Sequence, residues 1–243
     1  MPRTVETSPE KVLQALGDRD AVTVRGLRES LGVSERTVQR RVQTLLDAGV
    51  LVSLGRGIYS RDSGPPTLDP DAWALVETIR DVGADAHLTG YDLLAGYAHQ
   101  FVYEYAHLVY CHPPHLSTLA TELADEEWLV LQAGAGARHA LSLDRTVVLR
   151  GQPHAPGRYP VAHNLAAPEK AWVDLLREVR RSGLSFDYGE LGRLLRALDD
   201  RGRPETLTTY ARRAGYLDWV RATRGEVPPA NAEQRQLAAG YAA

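Results

Sequence analysis

Between Thr23 and Ser60 the chain reads TVRGLRESLGVSERTVQRRVQTLLDAGVLVSLGRGIYS, a stretch that restricts the fold more than any other. Val24, Leu27 and Leu31 recur at helical spacing and give a short helix one apolar face. Gly32-Val33 supplies a turn. The Ser34 hydroxyl can then accept one of the unpaired amide protons that open the next helix. That second helix is expected from Glu35 to Ala48, with Gly49 placed to end it in the left-handed conformation. Beyond it Val50, Leu51, Val52, Leu54, Ile58 and Tyr59 surround Gly55-Arg56-Gly57, the pattern of two strands around a basic tip. Upstream, Ser8-Pro9-Glu10 combines a cap, a first-turn proline and an acid near the positive end of the helix dipole. Val12, Leu13 and Leu16 give that helix its apolar face, and Gly17-Asp18 stops it. Three helices followed by a two-stranded wing predict a winged helix-turn-helix.

Angular placement divides the second helix of the motif into an inward and an outward face. At about 100° per residue, Val38, Val42, Leu45 and Leu46 fall within one arc of roughly 100°, which must face the core. Arg36, Arg40 and Gln43 lie nearly opposite, with Thr37 and Thr44 beside them, while Gln39 and Arg41 flank the edges. An arginine fork suits guanine in the major groove, and phosphate contacts set the register. A basic helix alone is equally well explained as a solvated face. The turn, the cap, the terminal glycine and the wing decide for double-stranded DNA as the partner. The expected contact set is Ser34, Arg36, Thr37, Gln39, Arg40, Arg41, Gln43, Thr44 and Arg56.

Charge is distributed in the same sense. The formal net charge of the 243 residues is −3, yet through Asp62 there are ten Lys and Arg against eight Asp and Glu. The remainder has eighteen against twenty-three. The N-terminal part can therefore approach DNA, whereas the acidic remainder has no evident role toward a polyanion. Only Lys11 and Lys170 are lysines, a bias that fits a GC-rich coding sequence better than a binding function. The hydrophobic share of 44% is that of a globular protein. No apolar run reaches the roughly 18 residues needed to cross a bilayer. The stretch MPRTVETSPEKV has no apolar signal core, so no membrane partner and a cytoplasmic location are expected. The single Cys111 excludes an intramolecular disulfide framework.

Arg61 to Pro70, RDSGPPTLDP, is rich in Pro, Gly, Ser and Asp and marks a boundary. The expected organisation is a winged domain over 1–62, an α/β domain over 71–225 and a tail over 226–243. Helical spacing of Trp73, Val76 and Ile79 predicts a helix from Asp71 to about Val82. Ala86 to Leu94 reads as strand, turn at Thr89-Gly90 and short helix. Phe101–Tyr105 and His107–Cys111 mix aromatic and β-branched residues and read as strands. A helix over Leu116–Glu126, strands at Trp128–Leu131 and Arg145–Leu149, and helices over Pro168–Arg181, Tyr188–Leu198, Pro204–Ala214 and Leu217–Thr223 follow. The tail after Gly225 is Pro-, Ala- and Gln-rich, with Leu237 and Tyr241 able to dock. The fold class is α+β: a winged helix-turn-helix, then a mixed α/β domain with a helical C-terminal part.

No constellation of residues points to catalysis, a metal or a cofactor. Cys111-His112-Pro113-Pro114-His115 contains zinc-ligand types, but no second paired cluster follows at structural-site spacing. A strand end and a rigid turn explain it better. Gly134-Ala135-Gly136-Ala137 lacks the lysine and hydroxyl of a phosphate loop. Asp92 with His99 and Tyr91 has no nucleophile tied to it by spacing. Asp174 beside Trp172 and Leu175 reads as the structural partner of a nearby arginine.

The order of motifs carries a resemblance. The winged segment, "TGYDLL" from Thr89, "AAPEKAWVDLL" from Ala166 and "LTTYARRAGY" from Leu207 together resemble the AbiEi family. This family comprises antitoxins and transcriptional regulators of type IV toxin-antitoxin systems linked to abortive phage infection. Its Ser/Ala-Pro-Glu-Lys/Arg segment and Leu-(x)-Asp-Leu helix are matched by Ala167-Pro168-Glu169-Lys170 and Val173-Asp174-Leu175. The resemblance runs from about Ser8 to Ala222. It implies an antitoxin that represses its own operon and counteracts a nucleotidyltransferase-like toxin encoded beside it, without requiring a stable complex. Arg36, Thr37, Arg40, Arg41 and Arg56 are the positions it carries over. The family's basic C-terminal surface would correspond to Arg177, Arg180, Arg181, Arg193, Arg196, Arg212 and Arg213, which here lie in a net-acidic region. A homodimer is compatible with this reading. The alternative is a winged-helix regulator whose C-terminal domain senses a small molecule, with Tyr91 to Tyr110 lining the pocket.

Overall fold

The structure is a computed structural model and describes residues 9–16, 22–47, 51–55, 57–61, 68–97, 106–132, 145–151, 161–162, 164–182, 184, 186–200 and 204–243. Several expectations lie outside these residues: the cap at Ser8, the stop at Gly17-Asp18, the helix end at Ala48-Gly49, Arg56, His99, the strand Phe101–Tyr105 and the segment Gly134–Ala137. In chain order the elements are α1 (Pro9–Leu16), β1 (Val22–Thr23), α2 (Val24–Leu31), α3 (Glu35–Asp47), β2 (Leu51–Gly55), β3 (Ile58–Arg61), α4 (Pro70–Asp81), β4 (Ala86–Thr89), β5 (His107–Cys111), α5 (Leu116–Asp125), β6 (Leu129–Leu131), β7 (Thr146–Gly151), β8 (Val161–Ala162), β9 (Leu165–Ala166), α6 (Pro168–Ser182), α7 (Tyr188–Asp200), α8 (Pro204–Ala214), α9 (Leu217–Thr223) and α10 (Ala232–Ala242). Two compact units form, residues 1–65 with 157–162, and 66–156 with 163–243.

In the first unit β1, β3 and β2 make an antiparallel sheet in that order. Its core is Val12, Val22, Leu27, Val38, Val42, Leu45 and Leu51. Thr23 caps α2 by accepting from the Gly26 amide at 3.0 Å. Gly32 ends α2 at φ 64°, a left-handed position that glycine adopts without steric cost.

The second unit carries a mixed sheet with the order β6-β7-β5-β4-β9. β4 runs antiparallel to β5, and the remaining pairs are parallel. Strand alternation gives the sheet two different faces. Ala86, Leu88, Val109, Cys111, Val147 and Leu149 join α4, α5 and the C-terminal helices in the main core. The intervening Leu108, Tyr110 and Val148 form a smaller cluster with Ala106. α6 begins on Pro168 with Glu169 in its first turn and ends on Arg180 and Arg181, the polarity its dipole favours. Trp172 on α6 is fully buried and donates its indole N–H to the Leu191 carbonyl of α7 at 2.8 Å.

The segment expected as a tail instead contains α10, packed on α7 with Leu237 buried. Two local devices explain it. Asn231 caps the helix by accepting from the Gln234 amide at 2.8 Å, and Gln234 returns to accept from the Ala230 amide at 2.6 Å. This is the reciprocal logic of a capping box. Asp199 of α7 then accepts a bidentate pair from Arg224 at 2.8 and 2.6 Å and a hydroxyl bond from Tyr241 of α10 at 3.1 Å.

The α7–α10 crossing depends on glycine. A Cβ on Gly192 would sit 2.1 Å from the Leu237 carbonyl oxygen and 2.7 Å from the Tyr241 amide nitrogen. Gly192→Ala should therefore destabilise by about 1–3 kcal/mol, because overpacking outweighs the roughly 1 kcal/mol that alanine gains within a helix. Gly96→Ala, with nothing within 4 Å of its Cβ, should be near neutral in the same urea titration.

Candidate nucleic-acid interface and buried polar strip

α3 turns one face inward and presents the other to solvent. Val38, Val42 and Leu45 are buried, while Arg36, Gln39, Arg40, Gln43 and Thr44 are exposed. Arg41 is half-buried at the margin. No ion pair among the described residues engages Arg36 or Arg40. Ser34, Thr37, Gln39 and Thr44 of the expected set have local partners. Ser34 Oγ accepts from the Thr37 amide at 3.2 Å and lies 2.9 Å from the Thr37 hydroxyl, so these two residues build the helix start. Gln39 donates to the Glu35 carboxylate at 3.2 Å, and the Thr44 hydroxyl donates back to the Arg40 carbonyl at 3.1 Å.

The second unit buries a group of charged side chains between its sheet and α6. On β4, β5 and β7, His87, Tyr110 and Arg150 are register partners and form one row across three strands. Along this row lies one row of α6, Lys170, Asp174 and Glu178, spaced four residues apart and therefore on one helix face. All six are buried. Lys170 forms an ion pair with Asp174 and donates to His87 Nε2 at 3.1 Å. Thr89, two residues along β4 from His87, donates its hydroxyl to Asp174 at 2.8 Å. Glu178 accepts from the Tyr110 hydroxyl and from Arg150 Nε, both at 3.0 Å. The Lys170 ammonium also stands 5.1 Å from the Tyr110 ring centroid.

Electrostatics follows from this enclosure. Burial, and then the Lys170 charge, hold His87 well below the usual imidazole range. Because an ammonium only donates, His87 Nε2 must accept, which is the neutral ring. Burial also lowers Lys170, with Asp174 opposing that shift, and burial beside Asp174 and Glu178 pushes the Tyr110 phenol well up. Charge is nonetheless balanced: Lys170 faces Asp174 and Arg150 faces Glu178. Arg177, on the next turn of α6, also acts on Tyr110 and Asp174.

Asp174 and Asp92 both have partners distant in sequence. Asp174 is held by Lys170, one turn before it on the same face, and by Thr89, and the Arg177 charge also acts on it. Asp92 Oδ1 lies 2.9 Å from His107 Nδ1 at the start of β5, which pairs antiparallel with β4. Around Cys111, burial pushes the thiol up to about 11, and its Sγ points to the His112 carbonyl at 3.4 Å. His115 Nδ1 accepts from the Asp85 amide at 2.8 Å, which closes the strand end. The Lys170/Asp174 spacing was a legible signal for the strip. Its partners on β4, β5 and β7 had none, because they are distant in sequence.

Comparison of the chain with models of known protein families and with curated proteins finds no match.

Two outcomes follow from the strip. Lys170→Met leaves a buried carboxylate without its cation and should cost about 3–5 kcal/mol, whereas Lys170→Met with Asp174→Leu should recover much of it. Equal losses in urea unfolding would show that the ion pair does not hold the strip. His87 titrates below its ordinary value of 6.5 in the folded chain, so the unfolded chain binds the proton first as pH falls. Stability from this group is full above 6.5 and declines below it. His107, raised above 6.5 with the Asp92 carboxylate opposing burial, acts in the opposite sense. The measurement is therefore the difference between the parent and His87→Gln, whose amide oxygen can still accept from Lys170. The variant should lose less stability between pH 7.5 and 5.5, and parallel pH profiles would refute the assignment.

Proposed function

We propose that the chain is a DNA-binding transcriptional repressor with antitoxin activity, its first unit a winged helix-turn-helix and α3 its reading helix. The observation that carries this is the face of α3. Arg36 and Arg40 are exposed one turn apart, opposite the buried Val38, Val42 and Leu45. The surrounding order supports it: α1, α2 and α3 share one core, and β2 pairs with β3 after the helix. Arg36 and Arg40 enter the major groove, while Arg41 at the margin and Arg56, which lies between β2 and β3 in the sequence, reach phosphate.

The antitoxin part rests on the AbiEi resemblance. One contact supports it: Thr89 of "TGYDLL" donates to Asp174 of "AAPEKAWVDLL", so two of the motifs behind the resemblance meet in one hydrogen bond. On this reading the chain acts in the cytoplasm, represses its own operon and counteracts a nucleotidyltransferase-like toxin.

The test is binding of Arg36→Ala, Arg40→Ala, Arg41→Ala and Arg56→Ala to operator and random duplex across a salt series, with circular dichroism as the folding control. Arg36→Ala and Arg40→Ala should lose about 1–3 kcal/mol, mainly on the operator. Arg41→Ala and Arg56→Ala should weaken both duplexes alike and reduce the salt slope by about one unit. Parent-like operator binding by all four overturns the assignment of α3. Co-expression with a neighbouring nucleotidyltransferase toxin should restore growth, and failure to do so removes the antitoxin part alone.

A further inference from the structure

Three donors from separate elements converge at the start of α4. Asp69 is the N-cap of that helix and accepts from the Ala72 amide at 2.9 Å. Asp92 sits in the 3-10 turn Gly90–Leu93 that follows β4, and His107 is the first residue of β5. One ligand atom from each lies within 4.8 Å of the other two. Asp92 and His107 are buried and already 2.9 Å apart, whereas Asp69 is exposed.

Donors around an ion bound at ~2.0–2.2 Å stand roughly 3–3.5 Å from one another. The Asp92–His107 pair meets that spacing closely. Asp69 keeps its Oδ1 bond to the Ala72 amide and can turn its other carboxylate oxygen toward the pair. Charge favours a cation: two carboxylates face one imidazole, and Asp71 in the first turn of α4 adds a third negative charge close by. His107 is also held in place from its other side. Its ring meets the buried Trp128 edge to face at 5.5 Å, and Arg145 lies over Trp128 at 4.7 Å. A ligand histidine fixed this way loses little freedom on binding.

We propose that Asp69, Asp92 and His107 form a binding site for one divalent first-row transition-metal ion. One imidazole and two carboxylates suit Zn2+ or Mn2+ better than Ca2+, which takes oxygen donors, or Cu(I), which takes sulfur. Water completes the coordination. The ion ties the start of α4 to the turn after β4 and to the first residue of β5. The site is independent of the DNA-binding proposal, and its test does not involve DNA.

Calorimetric titration of the chelator-stripped full-length chain with Zn2+, and then with Mn2+, tests it, together with thermal unfolding with and without each ion. Asp69→Asn is the decisive variant, because asparagine caps a helix about as well as aspartate but contributes no charge. The parent should bind one equivalent and melt at a higher temperature with the ion. Asp69→Asn should melt like the parent without metal and bind at least tenfold more weakly, and His107→Gln should lose the site. Should His107→Gln fail to fold, Asp69→Asn decides alone. Parent-like binding by Asp69→Asn places the ion elsewhere and overturns the proposal, as does a parent that shows no saturable equivalent.

Discussion

Three charged side chains on the sheet-facing side of α6 have no access to water, and the arrangement of the second unit answers that constraint. Lys170, Asp174 and Glu178 lie on one helix face and are all buried. A buried charge left alone costs several kcal/mol, so each must meet an opposite charge or a donor. The partners come from one cross-strand row, His87, Tyr110 and Arg150, with Thr89 beside it. A one-residue slip of any of these strands would turn its polar side chain to the other face. The ion pairs therefore specify register between helix and sheet more than they add net stability, which comes from the apolar surface.

That apolar surface is on the remaining faces of the same helix. Trp172, Leu175, Leu176 and Val179 enter the main core, and Trp172 bonds directly to α7. α6 thus links a sheet-side polar contact to a helix-side apolar one. α7 extends the link through Asp199, which joins Arg224 after α9 to Tyr241 on α10. Close approach at Gly192 and Gly240 lets α10 lie against α7 without a side chain between the backbones. The C-terminal helices form one packed group because every member is fastened to α7 or α6.

Among the described residues, arginines fall into paired and unpaired sets. The sequence holds only two lysines among its 28 basic residues. In the second unit Arg150, Arg193 and Arg224 pair with Glu178, Glu190 and Asp199, so these positive charges are consumed internally. On α3, Arg36 and Arg40 stand exposed with no carboxylate paired to them among the described residues. A positive field over α3 therefore depends on which arginines remain unneutralised, and the overall charge of −3 says little about it.

Local pattern was enough to place α3, β5, α8 and α9, since each is bounded by its own caps, prolines or β-branched run. The inward face of α3 followed from the 3.6-residue period, because Val38, Val42 and Leu45 must share a core whatever surrounds them. α10 was missed although Asn231 and Gln234 carry its start in the sequence, because proline and alanine around them read as a tail. Pairings between distant segments could not be read in this way. Nothing in the chain order connects Asp92 with His107, Thr89 with Asp174, or His87 with Lys170. Each residue is ordinary in its own segment, and its partner depends on which strands become neighbours. The sequence by itself determined the helices, their faces and the exposed arginines, for these depend on interactions within a few residues. Only the tertiary structure decided which charges are buried together, because strand order and register bring positions more than eighty residues apart into hydrogen-bond contact.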